Sequence, residues 1–250
     1  MTVPAAGHRP DATPEGAWAG WLPGRSWPAW TWDPAWREVA VCAAHPDDEV
    51  LGVGGTMALL AAAGVRVHLV AVTDGEASHP GSAVRAPADL ARARVDESGR
   101  ALAALGLGDA RTTRLGLPDS AVAAHETELV DALTAAFEGA DAVLTTWSGD
   151  GHPDHDAVGR AAVVAGSRRG LPVWQYPVWT WHWAAPGDPR VPWDSAHQVA
   201  LPRAVRAAKS TAIDCFTTQI APLGPDPADA VVLLPEFLAH FGRPHEVLWR

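Results

Sequence analysis

His45-Pro46-Asp47-Asp48-Glu49 places one imidazole and three carboxylates within five residues. The run just before it, Glu38-Val39-Ala40-Val41-Cys42-Ala43, has the length and apolar character of a buried strand. Charge at the mouth of such a strand must be compensated, because an unpaired buried ion is prohibitively costly; proteins pair it or place it on a metal. A second stretch repeats the arrangement: Asp141-Ala142-Val143-Leu144-Thr145-Thr146 leads through Trp147-Ser148-Gly149-Asp150 to His152-Pro153-Asp154-His155. Two strands of one sheet, each followed by His-Pro-Asp, would deliver ligands to one edge. His45, Asp48 and His155 then supply two imidazoles and a carboxylate. That is the ligand set of a catalytic zinc with one position open for water, whose pKa can fall to about 7. Asp47, next to a ligand but pointing elsewhere, is placed to take that water's proton.

Ala44-His45-Pro46-Asp47-Asp48-Glu49, joined to His152-Pro153-Asp154-His155, resembles the zinc-dependent PIG-L/LmbE family of N-acetylglucosaminyl deacetylases. Further pieces fall in the family's order: Thr73-Asp74-Gly75-Glu76, Arg94-Val95-Asp96-Glu97, Leu115-Gly116-Leu117-Pro118-Asp119, and Lys209 followed by Thr218-Gln219. The resemblance implies hydrolysis of an N-acetyl or other N-acyl amide on a small glucosamine-like substrate. The implied cofactor is Zn2+, with Fe2+ or another divalent metal as the alternative. Arg94 is implied to reach a substrate hydroxyl with Glu97 holding its guanidinium, against a plain salt bridge between residues three apart on a helix. Asp119 is implied to contact a sugar hydroxyl, against a turn or capping aspartate. For the charge developing on the carbonyl oxygen, His152 held cationic by Asp154 is the candidate, against an ordinary loop histidine.

One position departs from the resemblance. Some members carry a tyrosine two residues before the first histidine of the second motif, where this chain has Asp150; its sole tyrosine is Tyr176. Either His152 and zinc handle the oxyanion alone or the substrate differs. Two other functions compete: an amidase of the same scaffold acting on a thiol conjugate or a longer acyl group, which the many tryptophans would suit, and a non-catalytic carbohydrate-binding protein. Asp47 speaks against the last, since a mere binder needs no base beside a metal.

The elements that must position these residues alternate strand and helix. After the first strand, Gly52-Val53-Gly54-Gly55 precedes a helix over Thr56–Ala63; the glycines read as close helix-to-sheet packing, not as a dinucleotide loop, whose Gly-x-Gly-x-x-Gly spacing is absent. Val65–Thr73 is a strand with His68 as a packed or edge histidine, Ala77–Pro87 a loop bordering the site, and Ala88–Leu105 a helix stopped by Gly106. A weaker strand over Arg111–Leu115 and a helix over Glu126–Phe137 follow, then the 141–146 strand and a helix to Arg169. Later come a strand over Leu171–Trp179, a Trp181-His182-Trp183 patch covering one side of the cleft, a strand over Ala196–Leu201, a helix over Pro202–Cys215 and a closing segment Glu236–Phe241 that either covers the site or caps the sheet. This order predicts an α/β fold, a Rossmann-like three-layer sandwich with a mostly parallel sheet, in which ligands gather outside the carboxyl ends of the strands.

The 250 residues are read as a single domain, with 1–34 an irregular Trp/Pro-rich arm because Trp18, Trp21, Trp27, Trp30 and Trp32 follow no steady period. The arm packs on the core, lines the cleft or makes a subunit contact. A net charge of -10 with scattered arginines excludes a nucleic-acid partner, which requires clustered basic surface. Cys42 and Cys215 form no metal-binding spacing, and Cys42 reads as a small core hydrophobe in a reducing compartment. Residues 1–10 lack the basic start and apolar core of a signal peptide, and no apolar run is long enough to span a membrane, so a cytoplasmic protein is expected, as a monomer or a homo-oligomer.

Overall fold

Successive side chains of a strand point to opposite faces, and the strand β1 (Glu38–Ala43) is apolar on both. Val39, Val41 and Ala43 enter one hydrophobic cluster, while Ala40 and Cys42 enter another on the far face. Such a strand must be central and covered on two sides. A computed structural model of the chain describes residues 12–250 and places it so. With β2 (Arg66–Ala71), β3 (Arg111–Arg114), β4 (Ala142–Thr146) and β5 (Val173–Tyr176) it forms a parallel sheet in the order β3-β2-β1-β4-β5.

The helices α2 (Asp48–Ala62) and α3 (Pro87–Ala104) pack into the first cluster; α4 (Glu126–Ala136) and α5 (Pro153–Arg169) pack into the second. The predicted α/β three-layer sandwich is therefore the observed one. The chain runs outward from β1 to β3, then returns to β4 on the opposite side of β1. That reversal opens a crevice beyond the carboxyl ends of β1 and β4, where open α/β sheets bind ligands.

Three features differ from the sequence reading. The arm is not irregular throughout: it contains α1 (Glu15–Trp21) and a 3-10 turn over Leu22–Gly24, while residues 1–11, including the stretch read as lacking a signal peptide, lie outside the described residues. Aromatic packing supplies the reason. Trp18 is fully buried, donates its indole N–H to the Trp181 carbonyl at 2.8 Å and meets the Trp181 ring edge-on at 5.1 Å; Trp27 stacks on Trp193. The chain also ends in a strand the sequence reading missed, β7 (His245–Leu248), antiparallel to β6 (His197–Ala200) and bridged through Trp249 to Gln175 of β5. Between these lie α6 (Thr180–Trp183), α7 (Arg203–Ile213), α8 (Thr217–Ile220) and α9 (Pro235–Leu238).

The third difference bears on the site: α2 begins at Asp48, so its glycines lie inside the helix. Val53 breaks helical geometry there (φ -137°, ψ 19°), and a broken ladder buried away from water needs other partners. Lys209, on α7, donates to the Leu51 carbonyl at 2.7 Å, and Glu246, on β7, accepts from the amides of Gly55 and Thr56 at 2.8 Å each. The two side chains pair with one another at 2.7 Å. Gly52 permits close approach to the sheet: a Cβ there would lie 2.2 Å from Cδ2 of Tyr176, whose ring is buried and whose hydroxyl donates to the Cys42 carbonyl. Gly52→Ala is accordingly expected to destabilise the fold by about 1–3 kcal/mol, as overpacking does. A urea-unfolding midpoint equal to wild type would contradict this packing.

Both cysteines are free, and burial pushes the Cys42 thiol pKa up, in keeping with a core role. His68 is buried in β2 with Nε2 on the Thr113 hydroxyl, a packed histidine as expected. Among the described residues no helix is long and apolar enough to cross a membrane.

Candidate active site

β1 and β4 are hydrogen-bonded neighbours, and each is followed by a helix whose first turn carries a candidate ligand: Asp48 on α2 and His155 on α5. His45 lies in the short connection before α2. His45 Nδ1 stands 3.2 Å from His155 Nε2 and 3.6 Å from Asp48 Oδ2, and His155 Nε2 stands 3.2 Å from Asp48 Oδ1. Ligand atoms at 2.0–2.2 Å on a tetrahedral ion lie about 3.3–3.6 Å apart. The three residues therefore fit a single divalent cation.

Each imidazole is also held from behind. His155 Nδ1 is 2.7 Å from Asp150 Oδ2, and His45 Nε2 is 3.2 Å from Asp154 Oδ2 and 3.3 Å from Asp119 Oδ1. A carboxylate on the second nitrogen is the usual means of orienting a metal-binding histidine and raising its basicity. Burial disfavours charge on both rings, but Asp119, Asp154 and Asp48 around His45, and Asp48 and Asp150 around His155, outweigh it and raise both pKa values. So much buried negative charge is itself complementary to a cation. Two other groupings are compact, His45 with His152 and His155, and His45 with Asp119 and Asp154, each with donor atoms within 4.8 Å. The first lacks a carboxylate, and the second uses the His45 nitrogen turned away from His155.

Asp47 adopts φ 150°, a strained conformation for a residue with a side chain. Its amide donates to Glu49 Oε2, and its carboxylate accepts from Arg94 Nη2 at 3.0 Å. Burial pushes its pKa up to about 7, against the opposing pull of Arg94 and with a further push from Asp48. The Arg94 guanidinium, almost fully buried, donates to Asp47 and to the carbonyls of Pro46 and Gly75. Gly75 has φ 70°, and a Cβ there would lie 2.0 Å from the guanidinium, so only glycine admits it.

Two expected pairings are not formed. Glu97 does not hold Arg94; it accepts from the hydroxyl of Thr217 and from the amide and hydroxyl of Thr218, which ties α3 to α8. Asp154 does not hold His152 cationic, because its carboxylate faces His45 and accepts from the amides of Ser120 and Val122. His152 Nδ1 instead accepts from the Asp154 amide, capping α5, and burial together with the neighbouring imidazoles of His155 and His45 brings its pKa down to about 3. The residue the sequence reading missed is Asp150. Beyond His155 it accepts from the amides of Val178, Trp179 and Thr180 and from the Thr180 hydroxyl, so one carboxylate orients a ligand and shapes the next segment. The sequence marks position 150 only as a departure from the family's tyrosine, and its place five residues before His155 is the one further signal of this role. Tyr176 does not stand in for the missing tyrosine, since its buried hydroxyl donates to the Cys42 carbonyl of β1.

A cleft of about 520 Å³ opens over these groups, with His45, Asp47, Asp48, Arg94, Asp119, His152 and Asp154 in its lining. Asp119 also accepts from the Ala77 amide, anchoring the 77–86 loop at the rim. Trp179 and Phe237, rather than Trp181 and Trp183, form the aromatic side, so the closing segment does reach the cleft.

The sequence profile of GlcNAc-PI de-N-acetylase, PIG-L, matches residues 40–165. A 1D-myo-inositol 2-acetamido-2-deoxy-alpha-D-glucopyranoside deacetylase of Rhodococcus jostii (strain RHA1) is 32% identical over 247 residues, covering 75% of this chain and 84% of that protein. The chain belongs to the PIG-L family. A PIG-L relative with the same name from Rhodococcus opacus (strain B4) is 33% identical over 185 residues, and the match spans 64% of this chain but only 59% of that protein. N,N'-diacetylchitobiose deacetylase from Pyrococcus horikoshii shares the fold, with a TM-score of 0.56 at 21% identity over 72% of this chain and 70% of its own. All the metal-ligand candidates, together with Asp47, Arg94, Asp119, His152 and Asp154, fall inside the PIG-L stretch.

Proposed function

We propose that the chain is a divalent-metal-dependent N-deacetylase that hydrolyses the acetamide of an N-acetylglucosamine-like substrate to acetate and a free amine. The observation that carries the reading is the convergence of His45 Nδ1, Asp48 and His155 Nε2 at one-ion spacing with the buried Asp47 beside them. The names of the relatives support the sugar substrate. His45, Asp48 and His155 would hold the ion, and two nitrogens with one carboxylate favour zinc, with ferrous iron as the alternative. A divalent ion there supplies Lewis acidity to the acyl carbonyl and acidifies water.

The chain's own groups do the rest. Arg94 grips Asp47 through Oδ2, which leaves Oδ1 to take the proton of the attacking water. As water adds to the acyl carbon, negative charge gathers on the carbonyl oxygen. His152 accepts a hydrogen bond at Nδ1, so its own proton sits on Nε2 and donates to that oxygen as a neutral imidazole. Collapse breaks the C–N bond, and the proton held by Asp47 passes to the leaving amine. Asp119 is assigned to a sugar hydroxyl. Arg94, with its guanidinium already on Asp47 and two carbonyls, is assigned to positioning the base instead of to the substrate.

The test is amine release from methyl N-acetylglucosaminide alongside metal analysis. We expect one divalent ion per chain, loss of release on chelation by at least about 100-fold, and recovery with zinc. Equal release from metal-free protein, or none from loaded protein, would overturn the reading.

A further inference from the structure

The cleft has two unlike halves. Among the described residues, every ionisable side chain in its lining belongs to the floor already assigned: His45, Asp47, Asp48, Arg94, Asp119, His152 and Asp154. The apolar part of the lining is Leu51, Val178, Trp179, Val232, Leu233 and Phe237, and the rest of the described lining, Ser78 and Gln219 included, is uncharged. Trp179 lies 6.1 Å from the His152 ring and 5.2 Å from the Phe237 ring, so the apolar wall begins beside the reacting centre and continues to Phe237. His182 packs edge-on against both rings from behind, at 5.6 and 5.5 Å, and the Trp179 amide is held by Asp150. A wall so buttressed is preformed. Among the described residues the one guanidinium in the lining is engaged by Asp47 and is outnumbered by the carboxylates of Asp47, Asp48, Asp119 and Asp154, so away from the ion site the side chains offer an anionic substrate no free counter-charge. The floor lies within the PIG-L stretch at 40–165, whereas all of the wall except Leu51 lies beyond it.

We infer that the substrate is an uncharged N-acylated amino sugar bearing an apolar group, alkyl or aryl, that lies along the Trp179–Phe237 wall. The inference rests on the deacetylase reading. The apolar group enters either as the aglycone or as part of the acyl chain, and the two sources are separable by substrate.

The experiment compares kcat/KM of the metal-loaded protein for methyl N-acetylglucosaminide, octyl N-acetylglucosaminide, methyl N-octanoylglucosaminide and N-acetylglucosamine 1-phosphate. Each buried methylene favours binding by about fourfold, so burial of three of them predicts an advantage of about 50-fold for one octyl compound over the methyl N-acetyl reference. Which octyl compound gains identifies the source. The phosphate should fall about tenfold or more below the reference, since away from the ion the described lining sets carboxylates, and no free cationic side chain, against its charge. An advantage under about fivefold for both octyl compounds, or a phosphate at or above the reference, overturns the inference and leaves deacetylation intact. If no compound is turned over, the deacetylase reading fails, and calorimetric titration with octyl and methyl β-glucoside decides the wall alone: equal affinities overturn it. Val232→Asp, or Val232→Ala if the aspartate disturbs folding, should shrink the octyl-to-methyl ratio by several-fold with an unchanged melting temperature; an unchanged ratio rejects the placement.

Discussion

Asp47→Asn is expected to retain the divalent ion and to lower kcat on an N-acetylglucosaminide by about two to four orders of magnitude. The substitution keeps shape and volume, so Arg94 can still donate to the side-chain oxygen that replaces Oδ2. Asparagine also tolerates positive φ better than most residues, which preserves the unusual backbone at this position. What disappears is the basic lone pair of a carboxylate whose burial has already raised its affinity for a proton. Metal content by atomic emission and turnover by amine release separate the two effects. A kcat within threefold of wild type would assign the proton transfer to another group.

His155→Ala is expected to remove the bound metal and, with it, at least about three orders of magnitude of activity. The ring spans two carboxylates, Asp48 at Nε2 and Asp150 at Nδ1, so its loss opens one corner of the ligand triangle. The fold should persist, because Asp150 keeps four other donors from residues 178–180. A melting temperature near that of wild type together with lost metal is the expected pair of results. Metal retained at full stoichiometry would shift the site toward the grouping of His45 with Asp119 and Asp154.

Both expectations descend from features written into short stretches of the chain. Residue type and the paired His-Pro-Asp segments mark His45, Asp48 and His155 as candidate metal donors, and the apolar runs before those segments mark strand ends. The α/β layering follows from the same local periods, and β5, β6 and α7 were legible for that reason to within a few residues, whereas β7 was not.

Pairing was not legible. Asp154 is adjacent in sequence to the ring of His152 only through one proline, yet its carboxylate serves His45, because the first turn of α5 directs it toward β1 and the amides of the 120–122 turn. Glu97 is one helical turn from Arg94 and still bonds α8, since the guanidinium is drawn through the gap left by Gly75 onto Asp47. The start of α2 was misplaced because intrinsic propensity counts glycine as a helix breaker, whereas Lys209 and Glu246, far away in the chain, satisfy the backbone that the kink exposes. The sequence by itself determined the candidate donors and the layers, which are properties of single residues and of local periodicity. Only the tertiary structure decided which carboxylate meets which imidazole and what walls the cleft, because those depend on side-chain directions across segments that the sheet brings together.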